Sequence, residues 1–285
     1  MTRRRFPVGK TLLYGFMSLW ALTTIYPFIW VILNSFKPRG LIRSDTFSLP
    51  IGDKFTLENY VTAFKRVDIG TAYVNSIVIS GAVTVVVMVL AGLAAYAMVR
   101  YNFRLRGFLH SMIIASMMFP VFSTIIPVFR MESSWGIVNT GSIWLTRLSV
   151  VLPQIAGNLS FAIIVLMGFI RSLPVDLEEA AYLEGYNVYQ IFFRIIMPLA
   201  KPSFATVGIF TFLWSYNDLF LQMFFLRSKK FFTITRLLNE ISSQAGTNYG
   251  LMVAAVVMVV IPVLVVYIFL QNYIIKGMTA GAVKG

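Results

Sequence analysis

The stretch EEAAYLEGYNVYQIFFRIIMP, residues 178–198, lies between two long apolar runs yet carries three glutamates, Glu178, Glu179 and Glu184. Just before it, Leu173-Pro174-Val175-Asp176 ends one run and starts something new, because proline suits a first helical turn and Asp176 can cap with Glu179 three residues on. Leu177, Ala180 and Ala181 then fall at i, i+3 and i+4, which predicts a small-residue face on a short helix. Gly185 is placed to end that helix, where a left-handed residue costs glycine little. Asn187 can cap a second helix on which Val188, Ile191, Phe192 and Ile195 repeat at i, i+3, i+4 and i+7, and Pro198 and Pro202 close it. This is a helix-turn-helix with apolar faces, too short to cross a bilayer and too regular for a loose linker. An amphipathic connector lying on lipid and a docking element in a partner's groove both need such a face, so the pattern alone leaves the two open.

Outward from this stretch the chain is apolar. Of 285 residues, 58% are hydrophobic, 15% aromatic and only 12% charged, and the mean hydropathy is +0.78. A soluble domain of this size could not cover so much apolar surface, so the bilayer is the expected solvent. A membrane helix needs about 20 mainly apolar residues. Six runs qualify, predicting spans over about 11–36, 71–99, 107–129, 148–170, 203–226 and 249–275, the fifth broken only by Asp218. The fold class is therefore an all-α polytopic membrane protein: a cytoplasmic amino terminus over 1–10, a transmembrane domain over 11–275 that includes the loop 174–201, and a tail over 276–285. The first run follows Arg3, Arg4 and Arg5 but contains Trp20, Pro27 and Trp30 and lacks a small-residue cleavage site, so it reads as a retained helix rather than a signal peptide.

The net charge of +13 fits basic residues flanking spans and facing anionic lipid, not nucleic acid. Total Lys and Arg divide evenly between the two sides and are silent on orientation. Density in short segments decides: Arg3, Arg4, Arg5 and Lys10 crowd the amino terminus, and Arg100, Arg104 and Arg106 fill a tight loop without an acid. Both are then cytoplasmic, as are the loop 174–201 and the carboxyl terminus.

The order Glu179-Ala180-Ala181, three residues, Gly185, nine residues, Ile195, one residue, Met197-Pro198 resembles the EAA loop of inner-membrane permeases in binding-protein-dependent ABC importers. Met197 stands where the family commonly has leucine, a near-isosteric exchange. The resemblance covers almost the whole chain: YPFIWVILNSFKP (26–38), FTLENYVTAF (55–64), YVNSIVIS (73–80), LAAYAMVRYNFRLRG (93–107) and GMTAGAVKG (277–285) are similar to the carbohydrate-uptake branch, in particular to the six-helix, maltose-permease-type second subunit.

What that resemblance implies is a type I importer permease fold in the bacterial inner membrane, with a homologous second permease beside it. Two ATPase subunits holding ATP and Mg would lie below, and an extracytoplasmic sugar-binding protein above. The chain itself would bind no cofactor and catalyse nothing. Glu179, Ala180, Ala181, Gly185, Ile195 and Pro198 would couple to an ATPase subunit, and closure of the ATPase dimer on ATP would pull the loop and the spans beyond it. The tail, with Gly277, Gly281, Lys284 and Gly285, would reach between the ATPase subunits. A GxxxG dimer face is the rival reading of those glycines, but Lys276, Lys284 and the missing apolar frame oppose it.

Other signals carry less. Gly9-Lys10-Thr11 lacks the earlier glycine of a phosphate-binding loop, where Arg4 stands. Asn158-Leu159-Ser160 falls inside a predicted span, out of reach of glycosylation. His110 is the one histidine and cysteine is absent, so thiolate chemistry and disulfides are excluded and no histidine cluster can hold zinc. The 14 methionines read as adaptable packing. Asp218 differs: intramembrane acids tend to face a cavity or a charge, and WSYNDLF (214–220) puts it roughly two thirds along its span. Trp214, Tyr216, Asn217 and Asp218 are accordingly expected along the translocation path, the rival reading being a helix that ends early with Asp218 at its mouth. A stand-alone secondary carrier or channel is the competing function, but no convincing inverted repeat accompanies the single acid.

Overall fold

The computed structural model describes residues 8–66, 68–246 and 248–282, and every regular element among them is helical. In order these are α1 (Val8–Ser35), α2 (Arg39–Ser44), α3 (Glu58–Arg66), α4 (Ile69–Arg100), α5 (Arg106–Met117), α6 (Val121–Ser134), α7 (Ile143–Ile170), α8 (Asp176–Leu183), α9 (Val188–Ile191), α10 (Met197–Leu199), α11 (Lys201–Asn217), α12 (Leu219–Phe225), α13 (Ile234–Ala245) and α14 (Tyr249–Ala282). A π-helical turn, Phe192–Ile196, joins α9 to α10. Three unbroken helices, α1, α4 and α7, are long and apolar enough to cross a membrane, and two bent pairs raise the number to five. The part Tyr249–Val265 of α14 is a shorter apolar stretch. Arg3, Arg4, Arg5, Lys284 and Gly285 lie outside the described residues.

Two of the expected spans are broken. Over 107–129 the chain forms α5 and α6, bent by 104° between them. Pro120 stands at the bend as the N-cap of α6, because it has no N–H to continue α5 and its ring obstructs the preceding turn. Over 203–226 it forms α11 and α12, parted at Asp218, whose side chain accepts the Leu221 N–H at 3.2 Å and so starts a new helix. Helix α11 therefore ends at Asn217, and Asp218 stands at the head of α12.

Compact packing divides the chain into two units. In the first, Met1–Asp68 with Leu238–Val263, α1 stays exposed from Gly9 to Ile29, a bare apolar rod that only lipid or another protein can cover. Its end is tightly held. Lys37 is fully buried and its Nζ donates to the Asp45 and Thr46 carbonyls at 3.0 and 2.8 Å. Asn59 Nδ2 donates to the carbonyls of Ser35 and Lys37, and Phe36 stacks on Phe55. The segments 26–38 and 55–64, distant in sequence, therefore meet. Burial lowers the Lys37 ammonium below its ordinary pKa, and the hydrogen bond from Lys54 holds Asp45 below the usual carboxylate value.

In the second unit, Ile69–Leu237 with Leu264–Gly285, α4 and α7 each bury a stripe at every fourth residue. On α4 it runs Ile79, Val83, Val87, Ala91, Ala95; on α7 it runs Thr146, Val150, Gln154, Asn158, Ala162, Leu166, Ile170. Ridges of that spacing interdigitate between helices, and the small residues of α4 let backbones approach. Gly92 matters most: a Cβ there would lie 2.8 Å from the ring of Phe204 on α11 and 2.9 Å from that of Phe192 in the π turn. Those rings are buried and have nowhere to go. Gly92→Ala is predicted to destabilise the protein by about 1–3 kcal/mol through overpacking, read as a lowered thermal midpoint in detergent, whereas Gly81→Ala, where a Cβ meets nothing within 4 Å, does not lower it, since alanine is the better helix former.

Candidate functional site

Helix α8 begins after Val175 with no side-chain cap, so the expected capping by Asp176 does not form; Asp176, Glu178 and Glu179 crowd the first turn instead, where negative charge suits the helix dipole. Gly185 adopts φ +85°, as its sequence position predicts, and turns the chain without a steric penalty. Asn187 caps α9 in a full capping box: its side chain accepts the Gln190 N–H at 2.9 Å, and its own N–H donates to the Gln190 side chain at 2.8 Å.

The faces differ from expectation in two ways. On α8 the residues turned inward are Glu178 and Ala181, while Leu177, Glu179 and Ala180 are exposed, so the alanine pair is split and the predicted Leu177, Ala180, Ala181 face does not exist. In the second helix the buried set is Ile191, Phe192 and Ile196, with Ile195 half-buried and Val188 and Pro198 exposed. The cause is the π turn: the Met197 N–H reaches back five residues to the Phe192 carbonyl, and the extra residue per turn carries Ile196 to the face that an α-helix would give to Ile195.

What fixes α8 is a residue that the sequence pattern passed over. Glu178 is buried; its Oε1 accepts Arg100 Nε at 2.5 Å and its Oε2 accepts the Tyr96 hydroxyl at 2.7 Å. Arg100 Nη2 also donates to the Leu173 carbonyl at 2.9 Å, so one guanidinium grips both α8 and the turn leading to it. The Tyr101 and Tyr182 hydroxyls meet at 2.9 Å; that bond pushes the Tyr182 phenol up to about 12, and it stays neutral at physiological pH. A signal was present: Arg100 is the one charge on α4, and an ion at a span's edge seeks a partner.

The residues expected along a path are not brought together. Trp214 and Asn217 are exposed, Tyr216 is buried and Asp218 half-buried. Trp214 packs on Phe161, ring centroids 4.8 Å apart, and Asn217 bonds to the Leu213 carbonyl of its own helix. Asp218 accepts from Gln154 Nε2 at 3.1 Å, Gln154 Oε1 accepts the Ser215 hydroxyl at 2.6 Å, and Gln222 Nε2 donates to the Ser215 carbonyl at 3.1 Å. This network ties α7, α11 and α12 together. Gly277 and Gly281 lie within α14, which runs on to Ala282 rather than releasing a tail at 276. Among the described residues no cluster of acids and histidines could hold a metal ion.

The described residues thus form long apolar helices with a capped, ion-paired helical hairpin set between α7 and α11. The chain belongs to the family described as the binding-protein-dependent transport system inner membrane component, matched over residues 87–280, and is thus a transport permease of the inner membrane, not an enzyme. It is 33% identical over 273 residues to the diacetylchitobiose uptake system permease protein NgcG of Streptomyces coelicolor, covering 95% of this chain and 88% of that one. It is 32% identical over 280 residues to the trehalose transport system permease protein SugB of Mycobacterium tuberculosis, covering 98% and 96%. In fold it matches a chain from the crystal structure of a bacterial ABC transporter involved in the import of the acidic polysaccharide alginate, with a TM-score of 0.81 at 23% identity over 96% of this chain and 99% of that one.

The geometry makes Asp218 a cap and an anchor. Asp218→Ala removes the cap, worth about 1 kcal/mol, and strips Gln154 of an acceptor; Asp218→Asn keeps a capping oxygen. The alanine variant, and not the asparagine variant, is expected to lower the thermal midpoint of the purified protein. Equal losses in both would mean that the carboxylate charge, rather than the cap, is what the site needs.

Proposed function

We propose that this chain is one of two homologous permease subunits of an ATP-driven importer for a sugar or oligosaccharide. Two ATPase subunits carry the ATP and Mg, an extracytoplasmic sugar-binding protein delivers the solute, and this chain binds no cofactor of its own. The observation that carries the reading is the outer face of α8: Glu179 and Ala180 are exposed, and Leu183, the most exposed of the large apolar side chains, is 91% accessible, on a helix pinned from behind by an ion pair. A fixed helix whose exposed side sets Leu177, Ala180 and Leu183 among the carboxylates of Asp176, Glu179 and Glu184 suits a cleft on another subunit. In this reading Glu179, Ala180 and the Gly185 turn meet the ATPase, Ala181 lets α8 approach its own bundle, and Ile195 and Pro198 set the return to α11.

The carbohydrate class is supported by the names of the relatives, which include uptake systems for diacetylchitobiose, trehalose and arabinooligosaccharides. Both termini lie in the cytoplasm in this reading, which the crowded arginines of the short segments support. In this reading Gly277 and Gly281, which lie within α14, and the last residues Lys284 and Gly285 meet the ATPase pair. On the path side, Trp214 and Asn217 are the residues of the 214–218 group free to meet a solute or the second permease, since Tyr216 is buried and Asp218 is engaged in its cap.

The test is to tag the chain in its native cell, purify it in mild detergent and identify stoichiometric partners by mass spectrometry. One homologous permease and two ATPase copies are expected. Gly185→Asp, which forces a charged side chain into a φ +85° turn, is expected to leave the chain inserted while the ATPase is lost or uncoupled. A stable complex without an ATPase would overturn the reading.

A further inference from the structure

Two turns tie α8 covalently to its neighbours, one over 171–175 from α7 and one over 184–187 to α9. The second bends at Gly185, whose φ of +85° marks a compliant joint. Neither turn leads to α4. The link to α4 is made by side chains: Glu178 spends both carboxylate oxygens on it, one on Arg100 Nε at 2.5 Å and one on the Tyr96 hydroxyl at 2.7 Å. Burial of both partners makes this link stiff, since their side chains are 10% and 5% exposed and breaking the pair would leave a poorly solvated charge unpaired. The adjacent Glu179, by contrast, is exposed and has no part in it.

Helix α4 then runs without proline to its other end. There Asn75, buried, donates to the carbonyls of Lys230 and Phe232 at 3.2 and 3.0 Å and accepts Arg147 Nη2 at 2.8 Å. At 1.5 Å per residue the 25 positions from Asn75 to Arg100 span about 38 Å, the thickness of a membrane with part of its headgroup layers. A rigid rod thus has α8 clamped to one end and the segment 229–232 clamped to the other.

We propose that Glu178 is a positioning residue that transmits displacement of α8 straight into α4, and through Asn75 to the segment 229–232 on the opposite face of the membrane. The inference rests on the importer reading, in which an ATPase moves α8. It assigns the first step of transmission to a side-chain clamp rather than to the covalent path through α9 and α11.

The absence of cysteine from this chain permits a test in which labelling is read on its own gel band, apart from the partner subunits. A single cysteine is introduced as Ser228→Cys, an exposed position next to the clamped segment. The complex purified through this chain is placed in nanodiscs, and the rate of reaction with a fluorescent maleimide is measured at rest and after trapping with ATP and orthovanadate. Trapping is expected to change the rate by about fivefold, the low end of couplings between distant sites. Adding Glu178→Gln, which keeps the shape but not the charge, is expected to abolish the response while the ATPase still co-purifies. Tyr96→Phe, which removes one of the two bonds and keeps the ring, is expected to reduce it. A parent-like response in Glu178→Gln overturns the proposal; if that variant does not accumulate, a parent-like response in Tyr96→Phe overturns it. A parent complex that holds an ATPase yet shows no response also overturns it, whereas a parent complex without an ATPase removes the importer reading itself.

Discussion

The close approach of helices to α4 is the constraint on which the second unit depends. Its buried stripe narrows from isoleucine and valine at one end to Ala91, Gly92 and Ala95 at the other, and that taper decides what can stand against it. Where the stripe is wide, α7 packs with residues of its own four-residue repeat. Where it is narrow, Phe192 and Phe204 lay their rings over Gly92. In a lipid environment no hydrophobic gain drives helix against helix, so fit and polar pairing carry the association. The taper supplies the fit, and the polar pairs are set at its two ends.

In each unit, several buried polar side chains stand where they saturate backbone carbonyls. Lys37 serves two carbonyls of the α2 exit, Asn75 two carbonyls near α13, and Arg100 one carbonyl besides its carboxylate. Irregular backbone is tolerated at membrane depth only when its orphan groups are satisfied in this way. Each long side chain therefore marks a place where a helix ends and the chain must turn.

Much of this was legible in the sequence and some was not, for reasons that differ by residue. Long apolar runs announce α1, α4 and α7, and Gly185 and Asn187 announce their turn and cap because only local chemistry is involved. The break at Pro120 was readable in principle, but a run of uncharged residues hides a bend that composition does not register. Asp218 carries the same ambiguity on its face: an acid in a span and an acid that starts a helix look alike until its Leu221 partner is seen. The π turn leaves no trace in periodicity except a register one residue out, which ordinary helical counting assigns to Ile195. Glu178 was hidden by its neighbour, since the motif draws attention to Glu179 and nothing local distinguishes the glutamate that turns inward. Its partner is 78 residues away.

Helix α1 has a different standing from the rest. Since residues 9–29 of α1 are all exposed, little burial rewards its formation, and its stability is set more by partition into hydrocarbon than by packing. Such a helix is complete as soon as it enters lipid, before α4 or α7 has been made by the ribosome. The Lys37 knot at its far end draws on residues no further than Tyr60, so nothing later in the chain is needed to tie it. The order of synthesis and the order of assembly thus coincide at the first crossing.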